Sequence, residues 1–191
     1  MLMYVVSISI LKITTDCFIE GTLVLASIGQ VKIEDVKVGD EVWSYNHQTG
    51  KKELKKVKHI FRNKTKEWYH LYIINQNTNK EEKITCTKNH RIYIKNKGYI
   101  ETNKILEKDK VILYNGKEVL ITIIEIEELE EEQTTYNFEV EDNHNYYVSE
   151  ECVLVHNDCR TTQRRKYWKN EANELKGKDI TYRATEKILI E

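Results

Sequence analysis

The chain has 191 residues, enough for one well-packed domain with short flanks and too few for two ordinary domains. Its 30 Lys and Arg nearly balance 31 Asp and Glu, and the formal net charge of -1 supplies no global attraction for nucleic acid or an anionic membrane. The absence of proline excludes proline-rich and mucin-like classes and leaves an ordinary globular profile.

The opening Met1 to Ile13 is apolar, but no Lys or Arg precedes the apolar run and no small-residue cleavage site closes it, so no signal peptide is expected. It is also far short of the ~20 apolar residues that span a bilayer, so no membrane anchor is expected. Val5, Val6, Ile8, Ile10 and Ile13 are β-branched and favour an extended strand. Residues 1–16 are therefore read as a strand-like N-terminal flank.

From Cys17 to Asn157 short β-type runs recur between turn signals: TLVLASI, IEDVKVGDEVWSY, ELKKVKHIF, EWYHLYIIN, EKITCT, HRIYIK, KVILY, VLITIIEIEEL, TYNFEVE, NYYV and CVLVH. Asn46 to Gly50, Asn75 to Asn79, Asn96 to Gly98, Asn115-Gly116 and Glu141 to Asn145 provide the residues that tight turns need. The segment reads as all-β, and the acidic run Glu125 to Glu132 as the solvated side of a strand and its turn. After Cys159 the pattern turns helical: Thr161 or Thr162 can cap, Trp168, Ala172 and Leu175 share a face, and Gly177 can terminate. Residues 158–191 are read as a C-terminal flank with a short helical tail, its basic residues a solvated helix face.

Four cysteines, Cys17, Cys86, Cys152 and Cys159, are expected to be free thiols, because disulfide frameworks belong mostly to smaller secreted chains that lack a sufficient core. His47, His59 and His70 have no motif context and are read as surface or structural. Trp43, Trp68, Tyr72 and Tyr93 are read as packing aromatics.

Four features remain: Cys17 in D-C-F-x-x-G-T, Thr87 and His90 in T-x-x-H, His144 in V-E-D-N-H-N-Y-Y-V, and His156-Asn157 in V-L-V-H-N. Each alone has an ordinary structural explanation as a packed cysteine, a satisfied histidine or a turn asparagine. Together and in this order they resemble the Hint superfamily, which includes inteins, bacterial intein-like domains, hedgehog autoprocessing domains and the pretoxin domains of polymorphic toxins. I-E-D-V-K-V-G-D-E-V at Ile33 to Val42 and Y-N-F-E-V-E at Tyr136 to Glu141 are also similar to family signatures, and the resemblance covers nearly three quarters of the chain.

The residue types suit self-cleavage. A thiolate at Cys17 can attack the Asp16 carbonyl through a five-membered ring and convert the peptide bond into a thioester. The step opposes amide resonance, which sets a rotation barrier of about 18–20 kcal/mol, so the fold must hold or distort that bond. Placing nucleophile and carbonyl in one chain supplies proximity, with effective molarities on the order of 10⁵–10⁸ M. At the other end the Asn157 side-chain amide can close a succinimide on its own carbonyl and expel the Asp158 amine. The resemblance implies that His90 polarises or protonates the departing Cys17 amide, a role typically contributing roughly 10²–10⁴-fold, with Thr87 on the same peptide. It assigns His144 and His156 to the Asn157 carbonyl.

It further implies a horseshoe-shaped all-β fold of two pseudo-symmetric units. Residues 17–157 would be the autoprocessing domain, acting as a monomer on its own flanking polypeptide, once and in cis, with no cofactor, metal, membrane or nucleic-acid partner. Asp158 stands where splicing needs Cys, Ser or Thr, and Cys159 would need a larger, less preorganised ring. Asn137 stands where many inteins carry Asp, and a neutral amide can neither act as a base nor hold a negative charge. Both departures point to cleavage without ligation. Retention of His156-Asn157 and the lack of a long apolar extension argue against the sterol-dependent hedgehog reaction.

H-N-D-C followed by a short polar helix is most similar to a pretoxin domain whose cleavage after Asn frees a C-terminal toxin. The tail R-R-K-Y-W-K-N-E-A is similar to the opening of HNH-type nuclease toxins, yet no His follows His156, so it is read as a truncated toxin start. Such domains belong to secreted bacterial toxin systems, and the compartment of this chain stays open. Two alternatives stay open with it: a structural zinc module using Cys86-x-x-x-His90 and Cys152-x-x-x-His156, and an inert Hint remnant.

Overall fold

A computed structural model describes residues 16–76 and 78–157. The expected N-terminal strand and C-terminal helical tail lie outside these residues. All described residues belong to one compact unit.

Among the described residues, eleven strands form one antiparallel sheet: β1 (Leu23–Ala26), β2 (Gly29–Lys32), β3 (Glu41–Asn46), β4 (Lys51–Asn75), β5 (Lys80–Cys86), β6 (Arg91–Ile94), β7 (Gly98–Glu101), β8 (Lys110–Ile112), β9 (Glu118–Val140), β10 (Asn145–Val148) and β11 (Val153–His156). All five turn clusters read from the sequence fall between or beside strands. Two pairs of expected strands are each one long strand. β4 joins ELKKVKHIF to EWYHLYIIN, and β9 joins VLITIIEIEEL to TYNFEVE. The joining residues are polar and look like breaks, but they pair with each other: Arg62 lies opposite Tyr136, Asn63 opposite Thr135 and Thr65 opposite Gln133. Cross-strand hydrogen bonding satisfies this backbone without help from apolar side chains. The ladder shifts register between Thr65 and Glu67, and the acidic run sits at that irregularity. Two of its carboxylates have partners: Glu127 bonds the ring of His70 and Glu125 the hydroxyl of Tyr72.

Two halves repeat the same local plan. Ile33–Asp35 and Thr102–Lys104 are single 3-10 turns after β2 and β7. In each an aspartate then closes the next turn, Asp40 accepting from the Lys37 N–H at 2.8 Å and Asp109 from the Leu106 N–H at 3.1 Å. Both then pass into a strand that pairs with one of the two long strands. The pseudo-symmetry is therefore written in matched backbone bonds: Gly39 N–H to the Val57 carbonyl and Lys108 N–H to the Ile121 carbonyl, at 2.9 and 2.8 Å.

Alternating apolar side chains from both halves meet in one core, with Val24, Val42, Val57, Leu71, Ile92, Val111, Ile121, Phe138 and Val155 all buried. At roughly 1.5–3 kcal/mol for each fully buried large apolar side chain, this core is the main favourable term holding the sheet curled on itself. Phe18 is stitched into the core by bridges to Tyr136 of β9 and Cys86 of β5. That attachment brings the residues just before it, Asp16 and Cys17, to the centre of the domain.

Candidate functional site

The chain enters the site at Asp16 and leaves it at Asn157. Phe18 donates its N–H to the Tyr136 carbonyl at 2.8 Å and accepts from the Tyr136 N–H at 2.9 Å, so Asp16 and Cys17 lie alongside the end of β9. The Cys17 N–H, which belongs to the Asp16–Cys17 peptide bond, donates to Thr87 Oγ1 at 2.9 Å. Thr87 N–H in turn donates to the Cys17 carbonyl at 2.9 Å. Cys17 is buried, and its Sγ accepts a hydrogen bond from Asn63 Nδ2 on β4 at 3.7 Å. On the other side of the peptide, Asn137 Nδ2 donates to the Asp16 carbonyl oxygen.

His90 follows from the tight turn that T-x-x-H forms: its N–H donates to the Thr87 carbonyl at 3.0 Å, and its carbonyl accepts from both the N–H and the hydroxyl of Thr102 at 2.8 Å. The ring is wholly buried and packs on Phe18 with centroids 4.1 Å apart. Neither ring nitrogen makes a hydrogen bond of ordinary geometry among the described residues. Burial pushes the imidazole down to about 3; hydrogen bonding to the Asp16 backbone works the other way, and the charge of His156 adds to the lowering. His90 is therefore a neutral imidazole at neutral pH. Its neighbourhood with His156 follows from strand pairing, since Arg91 lies opposite His156 where β6 meets β11.

At the exit, Asn157 is 1 % exposed. Its backbone N–H donates to the His144 carbonyl at 3.0 Å and its Nδ2 to the Phe138 carbonyl at 2.7 Å. Its Oδ1 is buried without a hydrogen-bond partner among the described residues. His144 thus meets Asn157 through its backbone, and its ring Nδ1 lies 4.0 Å from Glu139, whose other oxygen bonds His59. His144 adopts a left-handed φ of 49°, as do three other residues of the turns flanking β10. His156 packs edge-on against Tyr99, with centroids 4.7 Å apart, and the Tyr99 hydroxyl bonds His47 at 2.8 Å. Burial holds that phenol well above the usual tyrosine range, so it keeps its proton.

Cys17, Thr87, His90, His156 and Asn157 therefore converge, and His144 joins them by its carbonyl. Asp158 lies outside the described residues. Asn63 carried no sequence signal, because an asparagine in a polar stretch of a strand resembles any solvated residue. In the sequence Asn137 stands out only as a departure from the aspartate of many inteins. Phe138 is a core aromatic by every sequence criterion, and its part here is played by its backbone.

The other thiols stand apart. Cys86 lies beside Thr102 with Sγ 3.2 Å from its hydroxyl, and burial pushes it up to about 12. Cys152 accepts from Gln30 Nε2 at 3.5 Å, and its half-burial raises its pKa. None of Cys17, Cys86 and Cys152 is joined in a disulfide, as expected from the sequence, and Cys159 lies outside the described residues. The four residues of the zinc reading do not assemble: no group of three or more His, Cys, Asp or Glu among the described residues is arranged to hold a metal.

A family model for the pretoxin Hint domain matches residues 23–158. Among solved structures, a bacterial intein-like domain from Clostridium thermocellum shares 33% identity over 75% of this chain and 100% of its own, with a TM-score of 0.69. The Ssp DnaB mini-intein variant M86 shares 19% identity over 75% of this chain and 94% of its own, with a TM-score of 0.63. A DnaB intein from Synechocystis sp. PCC 6803 shares 19% over 75% and 99%, with a TM-score of 0.60. At such identities the two inteins speak for the fold alone. No curated protein matches. The family model spans well over half of the chain and its fold is that of the intein-like domain, so the chain belongs to the pretoxin Hint domain family.

Proposed function

We propose that this domain cleaves its own backbone at the Asp16–Cys17 and Asn157–Asp158 bonds, releasing the segment after Asn157 without joining the flanks. The coarser statement follows from family membership: Hint domains process the polypeptide that flanks them. One observation carries the finer reading. Consecutive residues of β9 hold the two ends, the Asn137 side chain on the Asp16 carbonyl and the Phe138 carbonyl on the Asn157 side chain.

At the first bond, Cys17 Sγ attacks the Asp16 carbonyl carbon while its thiol proton passes to neutral His90. The C–N bond then breaks, and His90 returns that proton to the departing Cys17 amine. His90 enters the step as the neutral imidazole that its burial favours. Thr87 Oγ1 orients the scissile N–H throughout. Water then hydrolyses the thioester, leaving an Asp16 carboxylate and the free Cys17 thiol. At the second bond, Asn157 Nδ2 leaves the Phe138 carbonyl, attacks its own main-chain carbonyl and expels the Asp158 amine. His156 and His144 polarise the carbonyl and carry the proton. Asp158 offers no thiol or hydroxyl to capture the acyl group, so release replaces splicing, and the freed segment is the start of a toxin.

The test uses the chain between two folded tags, incubated with and without a thiol and followed by intact mass. Fragments ending at Asp16 and at Asn157 are expected, the first lost in Cys17→Ala and the second in Asn157→Ala, with no product joining the tags. A joined product would mean splicing. A folded chain that stays whole would end the self-cleavage reading.

A further inference from the structure

We propose that Asn137 and Asn63 are catalytic residues for the Asp16–Cys17 step, two side-chain amides that donate to its reacting atoms from opposite strands of the β4–β9 ladder. The inference rests on the reading above and adds to it the groups that stabilise the developing charges.

As sulfur attacks, negative charge gathers on the Asp16 carbonyl oxygen, and a donor already aimed there lowers the barrier. Asn137 Nδ2 is aimed there. Its orientation is determined by the other half of its amide. Oδ1 accepts from the Phe138 N–H and from the Tyr146 hydroxyl, each at 2.8 Å. Two donors on one atom identify it as oxygen, so the NH₂ must face Asp16. The amide is 1 % exposed, and water does not compete for the bond. Tyr146 is thus a positioning residue, holding the amide plane through Oδ1.

Asn63 treats the sulfur similarly. Its Nδ2 lies 3.7 Å from Cys17 Sγ, close enough to favour thiolate and to hold the nucleophile near the carbonyl. Strand pairing supplies both groups: Asn137 lies opposite Phe61 and Asn63 opposite Thr135 on the same ladder. The step stays balanced. A C–S bond forms, the C–N bond breaks, and the thiol proton ends on the Cys17 amine, while the two amides hydrogen-bond without exchanging protons.

An aspartate at 137, the residue many inteins carry, discriminates sharply. Its carboxylate would still accept from Phe138 and Tyr146 but would set an anionic oxygen against the Asp16 carbonyl oxygen. Thioester formation, trapped with hydroxylamine, is therefore expected to slow in Asn137→Asp and to fall roughly 10²–10³-fold in Asn137→Ala. Asn63→Ala is expected to slow it roughly tenfold. Cleavage at Asn157 serves as the internal measure of folding in Asn63→Ala. If Asn137→Asp equals or exceeds the unmodified chain, the proposal is overturned. If the 137 variants do not fold, Asn63→Ala decides it, an unchanged rate overturning it. A readout independent of cleavage separates this failure from that of the parent reading: in a Cys17→Ala precursor carrying ¹³C at the Asp16 carbonyl, Asn137→Ala should move the carbonyl resonance upfield. No movement there refutes the hydrogen bond itself.

Discussion

His90 shows how one residue links folding to chemistry. Its ring is buried against Phe18 and close to His156, and its pKa falls from 6.5 to about 3. Between those values the unfolded chain binds a proton that the folded chain excludes, so stability rises with pH across the window. The contribution is fully present above about pH 6.5 and is lost progressively as pH falls towards 3. In a non-cleaving Cys17→Ala, Asn157→Ala background, His90→Gln should remove this dependence. Urea unfolding of the parent should lose about 2–3 kcal/mol more than the variant between pH 7 and 4.5. Equal losses would show that His90 already titrates near its ordinary value. The T-x-x-H spacing marked His90 in the sequence, but its protonation state was not legible there, because desolvation depends on Phe18 and on a strand that begins more than 60 residues later.

At the scale of elements, the repeated halves explain both a signature and an asymmetry. Ile33 to Val42 and Thr102 to Val111 trace the same 3-10 turn, aspartate-closed turn and strand, yet only the first copy reads as a signature. The left-handed position of that turn is Gly39 at φ 95° in the first copy and Lys108 at φ 73° in the second. A side chain at Gly39 would meet no atom within 4 Å, so the cost of adding one is backbone strain alone. Gly39→Ala should lower stability by about 1 kcal/mol, and Lys108→Gly should raise it by up to about 1 kcal/mol. Both are read from chemical denaturation, and opposite signs are required. The long strands teach the complementary lesson. Polar stretches such as Arg62 to Lys66 hide a strand whose order comes from its partner's backbone, so alternation of apolar residues cannot reveal it.

Across the whole molecule, β9 ties entrance to exit. Phe138 is 1 % exposed, its ring stacks on Tyr146 with centroids 4.2 Å apart, and its carbonyl holds Asn157. Phe138→Ala should cost about 3–5 kcal/mol of stability, and it should slow cleavage at Cys17 and at Asn157 in parallel. Substitutions at Asn137 or Asn63 should instead act chiefly on the Cys17 bond. Unequal effects of Phe138→Ala on the two bonds would show that the ends do not share this support. The sequence by itself determined the family and the all-β class, and it named the residues that the proposed reaction uses. A thiol next to its target carbonyl, an asparagine that can close a five-membered ring and the lack of an acyl acceptor at Asp158 are covalent, local properties. Only the tertiary structure decided that Asn137 faces the Asp16 oxygen, that Asn63 reaches the Cys17 sulfur and that His90 is neutral. Those are matters of burial and hydrogen bonding between residues far apart in the chain, and their geometry exists only once the sheet has closed around Phe18.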